Sequence, residues 1–376
     1  MGIYIHIPFC SSKCRYCDFF SRVVNNDEVK ANYVNALCKE IELQKKYLGT
    51  NKISTIYLGG GTPTVLKPSQ LNRIFEAVFK VFDLQKDNEI TIEVNPEDLT
   101  LQYLQDLKNY TPINRLSIGL QSFSDEELSF MNRKHSVETS QKAIENAQKT
   151  GFYNITGDLI FGLPSQTLEQ WNYNLKKFIE LNIPHLSAYS LTIEEGTVFG
   201  LWKKKKRITE IDEELSLKMY QKLIEKSEEN NFQHYEISNF AKEGFIARHN
   251  FSYWTGEKYL GIGASAHSFD GKTRQWNVAN IENYIKSIQQ NLIPAEKETL
   301  TEADKFNEFI LTGLRTYLGV KISRLEDEFA DFYRQIRKNI EELENKGFVE
   351  KKDNHFVLTK NGKFVSDAIM SELMVV

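Results

Sequence analysis

The stretch that decides the fold is IHIPFCSSKCRYCDF, residues 5–19, where three cysteines lie close together. Cys10, Cys14 and Cys17 have the spacing C-x3-C-x2-C, with an aromatic residue directly before the third cysteine. Several thiolates in one short loop suit a metal ion or an iron–sulfur cluster. Three thiolates would leave one iron of a [4Fe–4S] cube open, and an open iron can bind a small ligand through its amine and carboxylate groups.

Other interpretations of the cysteine loop are a zinc knuckle, a redox C-x-x-C pair or a disulfide. Zinc usually takes a fourth ligand and often a second ligand pair, and no pair with suitable spacing follows in the sequence. The fourth cysteine, Cys38, shares a predicted helical face with Leu37 and Ile41, which favours a buried core thiol over a ligand.

Length and composition limit the classes of function. A chain of 376 residues is long enough for two domains, and its net charge of −4 predicts no general attraction to nucleic acid or anionic membranes. No apolar run approaches the ~18 residues that span a bilayer, and a strand-like run begins at Ile3 without a signal peptide. Few cysteines, mostly in one loop, indicate a reducing compartment. We therefore expect a cytoplasmic protein.

Strand and helix patterns alternate over the first 200 residues. The β-rich runs are Ile3–Ile7, Ile53–Leu58, Ile90–Val94, Arg115–Leu120, Ile155–Ile160 and His185–Leu191. The helical stretches between them include Val29–Tyr47, Gln70–Phe82, Leu101–Lys108, Ser136–Lys149 and Leu168–Glu180. This alternation predicts an α/β fold with an incomplete parallel (β/α)6 barrel. Chemistry in such folds collects at the carboxyl ends of the strands.

Unusual residues do follow the predicted strands. The glycines of Gly59–Thr64 permit positive φ and let backbone amides approach a ligand. Glu93 could bind a ribose hydroxyl, and the alternative is a solvated acid at a strand end. Gln121 and Arg133 follow the fourth strand, and Asp158 interrupts an apolar strand, where an unpaired carboxylate would be costly.

Four segments together resemble the oxygen-independent coproporphyrinogen III oxidase family of radical S-adenosylmethionine (SAM) proteins: Tyr4–Cys10, Gly59–Thr64, Glu93–Pro96 and Gly157–Pro164. The resemblance covers nearly the whole chain in the correct order. It implies a [4Fe–4S] cluster on Cys10, Cys14 and Cys17 with SAM on the open iron. SAM would be contacted by Tyr4, Gly60, Gly61, Thr62 and Glu93, and the neighbouring site would be lined by Gln121, Arg133 and Asp158.

Departures from the oxidases point to a subgroup. The oxidases typically carry a further cysteine where this chain has Phe19, and a longer segment before the first cysteine. The stretch Arg248–Trp254 carries the H-N-x-x-Y-W motif associated with haem chaperones of the same family. The resemblance thus implies haem held by a nitrogen of His249, with Tyr253 and Trp254 against the porphyrin face. The motif would otherwise be a structural turn with aromatic residues in the core.

A further histidine, His267, follows the glycine-rich turn at 261–263 and is a second candidate for the haem site. Two functions remain open at this stage. A haem chaperone would pass haem to an unknown acceptor protein, whereas a radical enzyme would cleave SAM reductively and oxidise a tetrapyrrole side chain. Both would need an electron donor for the cluster.

Three segments are expected: a barrel over residues 1–230, an extension with the haem motif over 231–295, and a C-terminal domain over 296–376. Thr301 and Asp304 form a capping-box-like pair at a helix start, and helices followed by a hairpin resemble a winged-helix α+β domain. From residue 301 onward, 12 Lys and Arg stand against 14 Asp and Glu. This balance argues against nucleic-acid binding and favours a lid or docking module.

Overall fold

The computed structural model describes residues 1–375 and confirms the predicted fold class. The strands of the barrel half are β1 (Gly2–Ile7), β2 (Phe9–Cys10), β3 (Arg22–Val23), β4 (Lys52–Gly60), β5 (Asp83–Val94), β6 (Arg115–Gln121), β7 (Ile155–Phe161) and β8 (His185–Ser190). Its helices are α1 (Asp27–Leu43), α2 (Pro68–Phe79), α3 (Leu101–Tyr110), α4 (Asp125–Phe130), α5 (Val137–Lys149) and α6 (Leu168–Glu180).

Six parallel strands form the centre of the sheet in the order β1, β4, β5, β6, β7, β8. Side chains alternate across each strand, so the apolar residues Ile3, Ile5 and Ile7 of β1 are fully buried in the core. Tyr4 and His6 point to the other side, where cavities lie. The short pair β2–β3 closes the cysteine loop by joining Phe9 to Arg22 and Cys10 to Val23.

The middle segment extends this sheet at both edges. Two more helices of the barrel segment come first, α7 (Val198–Lys204) and α8 (Glu213–Glu229). The elements of the extension are β9 (Gln233–Glu236), β10 (Asn239–Ala241), α9 (Arg248–Trp254), β11 (Tyr259–Ile262), β12 (His267–Phe269), β13 (Thr273–Asn277), α10 (Ile281–Gln289) and β14 (Ala295–Thr299). Strand β11 pairs in parallel with β1, and β12, β13 and β14 follow antiparallel. At the other edge β10 and β9 follow β8, which gives twelve strands in all.

A buried carboxylate ties the extension to the barrel. Glu40 on α1 is 0% exposed and accepts hydrogen bonds from the Gly263 amide (2.8 Å), Asn277 Nδ2 (2.6 Å) and the Tyr284 hydroxyl (2.5 Å). These three donors lie after β11, on β13 and on α10. Because a buried carboxylate is costly unless it is fully hydrogen-bonded, Glu40 fixes where the extension sits on the barrel.

The C-terminal domain has its own apolar core. Its elements are α11 (Glu302–Leu314), β15 (Val320–Lys321), α12 (Ile322–Glu328), α13 (Ala330–Asn345), β16 (Val349–Lys352), β17 (His355–Leu358), α14 (Lys360–Phe364) and α15 (Ser366–Glu372). The predicted capping box is present, because Thr301 and Asp304 bond reciprocally at the start of α11. The main sheet continues through Thr299, past the boundary expected at residue 296. Within residues 1–375, no helix is long and apolar enough to span a membrane.

Candidate functional site

The glycine-rich loop after β4 docks directly onto the cysteine loop. The amide of Gly61 donates to the Ile7 carbonyl (2.8 Å) and the amide of Thr62 to the Phe9 carbonyl (2.7 Å). A Cβ on Gly61 would lie 2.6 Å from the Phe9 oxygen and 2.7 Å from the Ile7 oxygen, and a Cβ on Gly60 would lie 2.3 Å from the His6 ring. Gly60 also has φ +105°, a backbone conformation that residues with a Cβ atom rarely adopt. Glycine is therefore required for the two loops to meet.

All three clustered cysteines line one cavity of about 380 Å³ beside this loop. Burial raises the pKa of the Cys10 and Cys17 thiols. Within residues 1–375, no three His, Cys, Asp or Glu side chains converge as ligands of a single metal ion would, and all four cysteines are free thiols. Three thiolates suit a cluster in which each binds a different iron, whereas a structural zinc usually takes four ligands.

Hydrogen bonds link two of these thiols through polar side chains. Arg133 donates to Cys14 Sγ (3.5 Å) and to Asn95 Oδ1 (2.6 Å). The side-chain amide of Asn95 donates to Thr62 Oγ1 (3.1 Å), and the Thr62 hydroxyl donates in turn to Cys10 Sγ (3.7 Å). Metal ions bind cysteine as the thiolate, and the guanidinium of Arg133 is placed to offset the negative charge of a metal-bound sulfur at Cys14.

Two carboxylates also line the cavity. Glu93 accepts from the Tyr57 hydroxyl (2.7 Å) and from the Gly60 amide (3.0 Å), and burial raises its pKa to about 7. Asp158 accepts from Ser117 Oγ (3.3 Å), and burial raises its pKa to about 6. Both groups therefore titrate near neutral pH, as carboxylates in functional sites often do.

The structure brings together most of the residues predicted from the sequence to bind SAM or to line the adjoining site. Seven of the eight line the first cavity: Gly60, Gly61, Thr62, Glu93, Gln121, Arg133 and Asp158. The sequence analysis missed Tyr57, Asn95 and Thr156, which line it as well. A signal was available for Thr156, which precedes Asp158 by two positions on β7, because residues two apart on a strand share a face.

Tyr4 is the exception, because it lines a second cavity instead. Its hydroxyl lies 2.9 Å from His6 Nδ1, and His6 Nε2 lies 2.8 Å from the Phe20 carbonyl. A carbonyl can only accept, so His6 carries its proton on Nε2 and accepts from Tyr4 at Nδ1. Burial lowers the pKa of His6 to about 4, which keeps the ring neutral. This pair anchors the end of the cysteine loop from within the sheet.

His249 lies in the interior and is 0% exposed. Its Nδ1 bonds Thr55 Oγ1 (2.8 Å), its Nε2 bonds the Tyr253 hydroxyl (2.8 Å), and its ring stacks on Tyr57 at 5.2 Å. Burial lowers its pKa to about 3. Because both nitrogens are occupied, the arrangement does not support the axial role that the sequence analysis gave to His249. It is instead placed to hold Tyr253.

The second cavity is a cleft of about 1530 Å³ between the sheet extension and the C-terminal domain. Tyr253 and Trp254, the predicted haem-contacting aromatics, line it and are partly exposed. The Arg315 guanidinium lies over the Trp254 ring at 4.7 Å. Phe19 is 72% exposed and lines both cavities, so the cleft adjoins the thiol-lined cavity at this residue.

Comparison with known proteins agrees with this architecture. Residues 4–178 match the Radical SAM superfamily, and residues 300–365 match the HemN C-terminal domain. The protein named "Heme chaperone HemW" from Bacillus subtilis is 34% identical over 99% of this chain and 98% of its own length. The chain belongs to the HemW family. The HemW protein of Lactococcus lactis is also 34% identical, over 96% of this chain and 93% of its own length.

A solved structure from a neighbouring group has the same fold as this HemW family member. Coproporphyrinogen III oxidase (HemN) from Escherichia coli, described as a radical SAM enzyme, superposes with a TM-score of 0.85 at 26% identity. The superposition covers 100% of this chain and 90% of the oxidase. The radical SAM match ends within α6, and the HemN C-terminal match falls on the domain with the second apolar core.

Proposed function

We propose that the protein is a cytoplasmic haem chaperone that holds a [4Fe–4S] cluster with SAM in the first cavity, binds haem in the cleft, and passes the haem to an acceptor protein. The observation that carries the proposal is the pairing of two adjoining cavities with different chemistry. One is small and lined by three thiols, and the other is large and lined by aromatic side chains. Full-length similarity to proteins named as haem chaperones supports the same assignment.

In this proposal Cys10, Cys14 and Cys17 hold the cluster, and an external electron donor reduces it. When bound, the cluster supplies one-electron chemistry and an open iron for SAM. The protein's own part is to place the positive charge of Arg133 beside the Cys14 sulfur and to present the backbone of Gly60 and Gly61. Glu93 is placed to accept a bond from a ribose hydroxyl, because it lies on the cavity wall beside Gly60.

Haem occupies the cleft, where Tyr253 and Trp254 offer flat apolar surface to the porphyrin. Burial of such a face stabilises the complex by roughly 25 cal/mol per Å² of apolar area. His249 contributes by fixing the Tyr253 hydroxyl from behind. The H-N-x-x-Y-W motif is then a wall of the haem site and its support, rather than the iron ligand.

The second candidate is a radical SAM oxidase acting on a tetrapyrrole, and the superposition on E. coli HemN favours it. The two candidates differ at Phe19, which lies at the boundary of the two cavities where the oxidases typically have a further cysteine. A chaperone needs no reacting group there.

We expect the purified protein to bind haem at one site per chain in a spectral titration. In an anaerobic assay with reduced cluster, SAM and coproporphyrinogen III, we expect no release of carbon dioxide, because the chaperone does not turn over that substrate. If the protein bound no haem and released carbon dioxide in that assay, the oxidase would be the better assignment.

Replacement of Cys10, Cys14 or Cys17 by alanine should each abolish the absorbance of the reconstituted cluster, because each thiolate binds a separate iron. Cys38→Ala is the matched control and should keep full iron content, since this thiol lies on α1 and donates to the Arg73 carbonyl. Iron and sulfide per chain measure the effect. A cluster that required Cys38 but not one of the other three would contradict the assignment.

Affinity for SAM should rise with pH through the pKa of Glu93, which lies at about 7. The ionised carboxylate accepts a hydrogen bond from a hydroxyl group, and the protonated carboxyl accepts one poorly. The dissociation constant of SAM should therefore fall about tenfold as the pH rises from below that pKa to above it. Equilibrium binding to the reconstituted protein measures this. Glu93→Gln should bind weakly at every pH, and a variant that kept the wild-type pH profile would refute the role of Glu93.

A further inference from the structure

We propose that His267 on β12 binds the haem iron in the cleft between the sheet extension and the C-terminal domain. This inference rests on the proposed haem function and names the iron ligand within it. It replaces the ligand expected from the sequence motif with a residue that the structure leaves accessible.

The other histidines are engaged by hydrogen bonds or ion pairs. The chain has seven histidines, and five of them hold protein partners inside the fold: His6, His135, His185, His234 and His249. His267 and His355 line the cleft. His355 bonds the Asp353 carbonyl through Nδ1 and lies on the exposed hairpin of the C-terminal domain, so it is the weaker candidate.

His267 is held on the sheet rather than on a loop. It pairs with Trp276 across β12 and β13, and the two rings stack at 6.1 Å with an angle of 26° between them. Gly261 allows this placement, since a Cβ there would lie 2.0 Å from the His267 carbonyl oxygen. A rigid strand positions a ligand more precisely than a loop does.

The imidazole of His267 is also in the right chemical state. Burial, together with the nearby charge of Arg274, lowers its pKa, which favours the neutral ring that has a lone pair for iron. Within residues 1–375, neither ring nitrogen of His267 has a hydrogen-bond partner. Coordination would therefore cost no protein hydrogen bond.

The walls of the cleft match the two parts of a haem molecule. Aromatic side chains lie on both sides: Tyr253, Trp254 and Phe269 on the extension, and Phe309 and Phe329 on the C-terminal domain. Most cations of the cleft are paired, for example Arg274 with Glu308 and Lys305 with Glu302. Lys272 and Lys321 line it without a carboxylate partner in the described part of the chain, and they are available to the two propionates.

The test is a haemin titration of the reconstituted protein and of His267→Ala, followed by absorption spectroscopy. We expect His267→Ala to shift the Soret band and to weaken binding about tenfold, because the axial bond is lost while the aromatic walls remain. Added imidazole should restore the wild-type spectrum. His355→Ala is the control and should keep the wild-type Soret position.

Three outcomes would overturn the inference. An unchanged Soret band in His267→Ala would show that His267 is not the ligand. Haem binding, and with it the proposed function, would be unaffected by that result. A shift caused by His355→Ala alone would move the ligand to that residue. Wild-type protein that bound no haemin would defeat the proposed function itself. Circular dichroism and cluster content of His267→Ala should match wild type, since the side chain lines the cleft and is not among the buried core residues.

Discussion

Two backbone hydrogen bonds, from the amides of Gly61 and Thr62 to the carbonyls of Ile7 and Phe9, hold the glycine loop on the cysteine loop. Almost every other feature of the first cavity depends on this contact. It places Thr62 beside Cys10 and leaves the Gly60 amide to bond Glu93. Because backbone atoms meet here at close range, no side chain larger than hydrogen fits at Gly61.

One aromatic side chain connects the two cavities. Tyr57 donates to Glu93 in the first cavity, stacks on His249, and lies 6.1 Å from the Tyr4 ring, which faces the cleft. His249 in turn holds Tyr253, a wall of the cleft. The cluster side and the haem side thus share a continuous set of packed rings in the barrel interior, with Phe19 at their outer boundary. Short-range contacts of this kind give each cavity a fixed geometry relative to the other.

Much of this could be predicted from the sequence, because local signals specify it. The alternation of β-rich runs and helical stretches marked the parallel strands, the Thr301–Asp304 pair marked the start of α11, and their places in the predicted strands marked Glu93 and Asp158. What could not be predicted was which groups occupy the nitrogens of His249. Its partner Thr55 lies nearly 200 residues away in the sequence, and only tertiary packing brings the two together. The same limit applies to Tyr4, whose strand was predicted correctly while its cavity was not.

The docking of the two loops can be tested directly by replacing Gly61 with alanine. The control is Gly244→Ala, at a glycine with φ +81° where an added Cβ would meet no atom within 4 Å, so that this variant carries only the backbone cost of about 1 kcal/mol. Iron and sulfide per chain after anaerobic reconstitution measure whether the cysteine loop keeps its shape. We expect Gly61→Ala to hold less than about half of the wild-type iron, while its circular dichroism stays native and Gly244→Ala assembles normally. Full iron content in Gly61→Ala would contradict the claim that this contact organises the site.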